Sequence, residues 1–172
     1  KNLNGSIIFL QKNKTKYDVI IIGAGPAGYT AGIYCSRARH DTLIISGILP
    51  GGQLMNTTDV ENYPGFADGI MGPDLMITMR KQTERMGTTI IDDEVIDVDF
   101  RHRPFNILTA SEEYECKAVI IATGASPKKL GLPGEITFGG KGVSYCATCD
   151  GPFFRNQEII VVGGGDSAIE EG

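Results

Sequence analysis

The apolar positions of this 172-residue chain fall into short solid runs separated by glycine-rich breaks. Residues 17–22 (YDVIII) are largely β-branched and end at a glycine, the pattern of a strand buried on both faces. Residues 26 to about 39 read as a helix, and residues 43–45 as a second buried strand, which completes a βαβ opening. Residues 47–71 are rich in Gly, Pro, Asn and Thr and show no period; a loop of that length inside a compact domain is usually functional. Gly72-Pro73-Asp74 then starts a helix, with proline in the first turn and an acid near the N-terminus. Leu75, Met76, Met79, Thr83 and Met86 share one face of it, the methionines as core filler, and Gly87 stops it.

Four strand-like stretches follow, at residues 88–91, 94–100, 105–109 and 118–122. The middle ones alternate and lie close together, which predicts an antiparallel meander. Thr123-Gly124-Ala125-Ser126-Pro127 and the Gly- and Pro-rich residues 131–142 read as a linker into a second unit. Residues 158–162 form another apolar run entering Gly163-Gly164-Gly165, with less than two turns of helix after it. A βαβ unit needs roughly 30 residues, and so short a helix has no second strand to pack on. The expectation is an N-terminal piece of a longer protein, divided into a leader (1–16), a first nucleotide-binding segment (17–125) and a linker with the start of a second unit (126–172).

Composition narrows the function. Twenty-three glycines are about twice the usual share, and their clustering between apolar runs points to tight turns against a ligand. Sixteen basic against twenty-one acidic residues give a net charge of −5, which argues against nucleic acid or an anionic membrane surface as partner. No apolar run approaches the ~20 residues of a membrane span. Residues 1–16 carry four lysines and no acid, and read as an untidy leader or the remnant of an organelle presequence.

Three constellations carry chemistry. Gly23-Ala24-Gly25-Pro26-Ala27-Gly28 follows a strand and opens a helix. Gly23 permits the tight turn, Gly25 lets the backbone approach a pyrophosphate, and Gly28 lets helix and strand pack closely. The acid expected about 20 residues on, for the ribose hydroxyls, is missing; Ser46 stands at the end of the second strand as a weaker candidate. Gly163-Gly164-Gly165-Asp166-Ser167-Ala168 repeats the pattern as GxGxxA, and two such turns suggest two dinucleotides, commonly a flavin and a nicotinamide. Cys146-Ala147-Thr148-Cys149-Asp150 reads as a redox pair in which one thiol becomes a thiolate near neutral pH and Asp150 supplies a proton. Zinc is the alternative, but it asks for about four ligands, and Cys35, Cys116, His40 and His102 show no paired spacing. Cys35 and Cys116 read as small buried hydrophobes, the histidines as exposed, and the acidic stretch 92–99 as the polar face of a strand and turn.

The order of glycine turn, CATCDG and second glycine turn resembles the low-molecular-weight thioredoxin reductases, from about Tyr17 to Gly172. Gly51-Gly52-Gln53-Leu54, the run from Thr57 to Asn62, and Pro64-Gly65 are similar to that family's flavin-side loop. Ala122-Thr123-Gly124 resembles the motif closing its flavin domain, and Gly142-Val143-Ser144 the lead into its redox segment. The resemblance implies a three-layer, Rossmann-like FAD domain with an antiparallel meander, followed by the start of a second Rossmann-like domain for NADPH. It implies electron flow from NADPH through FAD to a Cys146–Cys149 disulfide and on to thioredoxin, in a cytoplasmic homodimer. Cys149 is then the flavin-facing sulfur, Cys146 the attacker of the partner, and Asp150 the proton donor. The implied FAD contacts are Ala24, Gly25, Pro26, Ala27, Ile48, Leu49, Gln53, Asn62, Val95 and Cys149, with Gly23, Gly28, Ser46, Gly52, Thr123 and Gly124 around them. Gly163, Gly164, Gly165, Asp166 and Ser167 are implied for NADPH. The domain bearing the CxxC must rotate, with residues 124–142 as hinges. The resemblance implies a flavin domain whose last segment returns after the nicotinamide domain, so residues 1–172 alone are expected to bind FAD weakly or not at all and to turn over nothing. A peroxiredoxin-reducing flavoprotein of the same build and a non-catalytic nucleotide-binding fragment are the alternatives; a related ferredoxin-dependent family lacks the CxxC.

Overall fold

The β-branched run after Thr15 forms β1 (Lys16–Ile22), the centre of a six-stranded sheet in a computed structural model that describes residues 15–170. On one side β1 pairs in parallel with β2 (Thr42–Ile45), and β2 with β5 (Thr89–Ile91). On the other it pairs in parallel with β8 (Glu113–Ile121), which continues antiparallel to β7 (Phe105–Thr109) and then β6 (Val95–Asp99). Helix α1 (Pro26–Arg37) links β1 to β2, and α2 (Gly72–Arg85) precedes β5.

Two cores explain why the runs are solid rather than alternating. On one face Val19, Ile21 and Ile44 meet Tyr29 of α1 and Leu75, Met76 and Met79 of α2. On the other Ile20, Leu43 and Ile45 meet Ile107, Tyr114 and Cys116 of the meander. Each fully buried aliphatic side chain contributes roughly 1.5–3 kcal/mol. The result is three layers: helices, parallel sheet and antiparallel meander.

The predicted face of α2 is the buried one, with Met86 half-buried just beyond it. Thr83 tolerates burial because its hydroxyl donates to the Met79 carbonyl, 2.8 Å away, and lies 3.3 Å from that of Tyr29. Gly87 follows at φ +98°. Cys116 is buried, Cys35 half-buried, and both histidines are exposed.

Four boundaries differ from expectation. Lys16, assigned to the leader, opens β1 and pairs its ammonium with Glu115 at 2.9 Å; the rest of the leader up to residue 14 lies outside the described residues. Strand β8 starts five residues before position 118, because its first half alternates to face β7 while its second half is an apolar run beside β1. Residues 47–71 hold a 3-10 turn (Gly52–Asn56) and a pair of two-residue strands, β3 (Asp59–Val60) and β4 (Ile70–Met71). The strand predicted at 158–162 does not form: no described strand lies alongside to accept its hydrogen bonds, and Ile159, Ile160, Val161 and Val162 are exposed. Two short helices complete the chain, α3 (Ala147–Asp150) and α4 (Asp166–Glu170).

Candidate functional site: a dinucleotide turn and a disulfide

The parallel strands β1, β2 and β8 end together, and the first glycine constellation sits at that end. The Gly23 amide donates to the Ile45 carbonyl at 2.8 Å, and the Ala122 amide to Ile22 at 2.8 Å. Gly23 has φ +109°, and a Cβ there would lie 2.2 Å from the Ala122 oxygen. A Cβ on Gly28 would lie 2.0 Å from the Gly23 oxygen. Gly25 is different: nothing stands within 4 Å of where its Cβ would be. Two glycines therefore serve packing, and the third faces open space at the start of a twelve-residue helix with proline in its first turn. The unpaired amides and partial positive charge of such a terminus hold phosphate oxygens.

Two further predicted segments converge here. The Gly51 amide donates to the Ala24 carbonyl at 2.9 Å, and the Gln53 Nε2 to that of Ala125, next to Thr123 and Gly124, at 3.2 Å. Ile48 and Leu49 are 73% and 76% exposed on this loop and present an apolar surface beside the turn. The residues around Gly25 are the ones that could hold the pyrophosphate of a dinucleotide. Pro26 and Ala27 lie in the first turn of α1, and Gly52 lies 3.8 Å from Gly25, measured from its would-be Cβ to the Gly25 Cα.

Ser46 is buried, and its hydroxyl lies 3.0 Å from Asp92 Oδ1 and 3.0 Å from the Gly47 carbonyl. Asp92 is in turn gripped by Arg80, and that hydrogen-bonded contact holds its carboxyl below the usual carboxylate range. Val95 packs half-buried under the meander core, and Asn62 is exposed in a loop whose residues 61–67 line a shallow depression of their own.

Cys146 and Cys149 are joined in a disulfide with Cα atoms 5.2 Å apart. Cys149 is exposed and Cys146 half-buried. The turn is built by the Cys149 and Asp150 amides, which donate to the Cys146 carbonyl at 3.2 and 3.0 Å. Ser144 braces it: its hydroxyl donates to Asp150 Oδ2 at 2.5 Å and accepts from the Cys146 amide at 3.1 Å. Asp150 thus sits on the same turn as both sulfurs. The free thiols of Cys35 and Cys116 are pushed up by burial and are poor nucleophiles.

Sequence comparison matches residues 17–172 to the family of pyridine nucleotide-disulphide oxidoreductases. The chain belongs to that family. Among curated relatives of this pyridine nucleotide-disulphide oxidoreductase, a thioredoxin reductase of Streptomyces clavuligerus is 56% identical over 156 residues, covering 90% of this chain and 48% of the relative. One of Rickettsia conorii is 56% identical over 154 residues, covering 89% and 50%. The chain spans about half the length of the curated relatives it matches. Among solved structures, a thioredoxin reductase from Giardia duodenalis aligns with a TM-score of 0.86 at 43% identity, over 92% of this chain and 52% of that one. One from Streptococcus pyogenes aligns with a TM-score of 0.84 at 48% identity, over 92% and 52%.

The second glycine turn is less built. Gly163 to Gly165 lead into the five-residue α4, which starts at Asp166 and includes Ser167, and a Cβ on Gly163 would lie 3.3 Å from the Ala168 Cβ. No described strand pairs beneath it. Among the described residues, no helix is long and apolar enough to cross a membrane.

Sequence reasoning missed Arg80, Asp92, Glu135 and Tyr145, and assigned Ser144 no role. Ser144 carried one local signal, a hydroxyl two residues before the first cysteine. Arg80 meets Asp92 and Glu135 meets Tyr145 with no periodicity in the sequence to mark either pair.

Proposed function

We propose that the whole protein is an NADPH-dependent thioredoxin-disulfide reductase, with FAD held at the Gly23–Gly28 turn. The observation that carries this reading is the Cys146–Cys149 disulfide with Asp150 on the same turn, in a chain that also presents an open dinucleotide cradle. FAD bound there would supply the two-electron relay between the nicotinamide and the disulfide. Gly25 and the first turn of α1 would hold its pyrophosphate, the exposed Ile48 and Leu49 would cover an apolar part, and Gln53 ties the cradle to Ala125. In the whole protein Gly163, Gly164, Gly165, Asp166 and Ser167 would hold the nicotinamide dinucleotide, once a strand lies beneath their turn.

Reduction of the disulfide takes two electrons and two protons and yields two thiols. Asp150 protonates a departing sulfur. The Cys146 thiolate attacks a disulfide sulfur of thioredoxin, forming a mixed disulfide and releasing one partner thiolate. Cys149, deprotonated in turn, then attacks the Cys146 sulfur, which restores the internal disulfide and releases the second partner sulfur; the two protons end on the partner's two thiols. The protein works in the cytoplasm as a homodimer.

The test is NADPH-dependent reduction of thioredoxin by the whole protein and by its Cys146→Ser and Cys149→Ser variants. Both variants are expected to keep flavin absorbance and to lose turnover. Turnover by both refutes the disulfide mechanism.

A further inference from the structure

Glu135 is a buried residue, 7% exposed, in an irregular loop. Its carboxylate accepts four hydrogen bonds. Oε1 takes the Tyr145 hydroxyl at 2.6 Å and the Leu130 amide at 2.9 Å; Oε2 takes the amides of Gly131 at 2.7 Å and Leu132 at 3.2 Å. Apolar burial does not hold this region together: Leu130 and Leu132 are 60% exposed and Ile136 is 84% exposed. Backbone bonds from Phe138 to Gly134 and from Val143 to Phe138 close the loop internally. Glu135 therefore staples the two ends of the stretch from Leu130 to Tyr145, and Tyr145 is the residue before Cys146.

We propose that Glu135 is a positioning residue for the Cys146–Cys149 pair: through Tyr145 it locks the chain entering the disulfide turn to residues 130–132, so that linker and disulfide travel as one body. The proposal rests on the reductase reading and adds a joint to it. Any bend that carries the disulfide between flavin and partner falls upstream of Leu130, in 126–129, rather than across all of 124–142. The hydrogen bonds from Tyr145 and the three amides hold the Glu135 carboxyl down at about 2, and the carboxylate raises the Tyr145 phenol in return. Acceptor and donor keep their states throughout the neutral range, so the clamp does not open with pH there.

A reacting sulfur held out of position slows its chemistry without changing how the nucleotide binds. The experiment uses the whole protein with Tyr145→Phe, Glu135→Gln and both together. It reads kcat for thioredoxin, KM for NADPH, and the rate at which iodoacetamide alkylates Cys146 after chemical reduction. Each single variant is expected to lower kcat about tenfold, as losing one charge-assisted hydrogen bond implies. KM for NADPH stays at the wild-type value, the double variant is no slower than Glu135→Gln alone, and the alkylation rate changes severalfold. Tyr145→Phe removes a single oxygen from a side chain that is 42% exposed, so it keeps the test alive if Glu135→Gln does not fold. A wild-type alkylation rate in the variants overturns the proposal, even where thermal stability falls. If the wild type fails to reduce thioredoxin, the reductase reading falls, and the alkylation rates still decide the clamp.

Discussion

Arg80 grips Asp92 with both terminal guanidinium nitrogens, Nη1 at 2.8 Å from Oδ1 and Nη2 at 3.1 Å from Oδ2. The pair joins α2 to the chain leaving β5, and Ser46 brings the end of β2 into the same carboxylate. Asp92→Asn is expected to lower stability by about 0.5–1 kcal/mol, since both side chains are partly solvated and salt screens them. Denaturation of the whole protein at low and high salt checks this, with the wild-type advantage shrinking at high salt.

Acid should remove the same advantage. Asp92 is lowered by Arg80, and Asp93 is lowered to about 2 by hydrogen bonds from Ser111 and Thr109. A carboxyl depressed in the folded state contributes stability that is full above its unfolded value, near 3.9. That contribution is lost as pH falls from about 4 towards 2. Urea midpoints at pH 6, 4 and 2.5 should be nearly level between the first two and drop at the third. The Asp92→Asn variant should show a smaller drop.

The glycine turn separates folding from binding. Gly28→Ala drives a methyl into the Gly23 carbonyl and is expected to destabilise by roughly 3 kcal/mol, as overpacking against backbone does. Gly25→Ala meets no protein atom, so its melting temperature without cofactor should match the wild type while bound flavin is lost. Thermal melts paired with the visible absorbance of bound flavin distinguish the two; retained flavin in Gly25→Ala refutes the assignment of that position.

Ser144→Ala cuts the brace between Asp150 and the Cys146 amide. Turnover with thioredoxin is expected to fall about fivefold, in line with one lost hydrogen bond to a charged group. Ser144→Thr keeps the hydroxyl and should retain most of the activity. Steady-state kinetics of the two variants side by side checks this.

The opening of the fold is legible in the sequence because residues 17–22 and 43–45 are buried on two faces and leave no ambiguity of period. The glycine turn and the CxxC are legible because each is local, complete within six residues and placed after a recognisable element. Strand β8 reads short because Glu113 and Glu115 break the apolar run, although they alternate with buried Tyr114 and Cys116. Ser46 reads as a ligand for ribose because its partner Asp92 lies 46 residues away. Glu135 and Tyr145 meet across an irregular loop with no periodicity to mark them. Residues 158–162 have the composition of a strand, but pairing makes a strand, and composition cannot supply the neighbour.

One strand ties the layers. The second half of β8 is hydrogen-bonded to β1 and its first half to β7, so meander and parallel sheet have a common backbone. Peeling one layer from the other means rupturing that ladder, and neither can melt while its companion survives. Amide protons of Tyr114 and of Val119 should therefore exchange with solvent through the same global opening, as members of a single cooperative block.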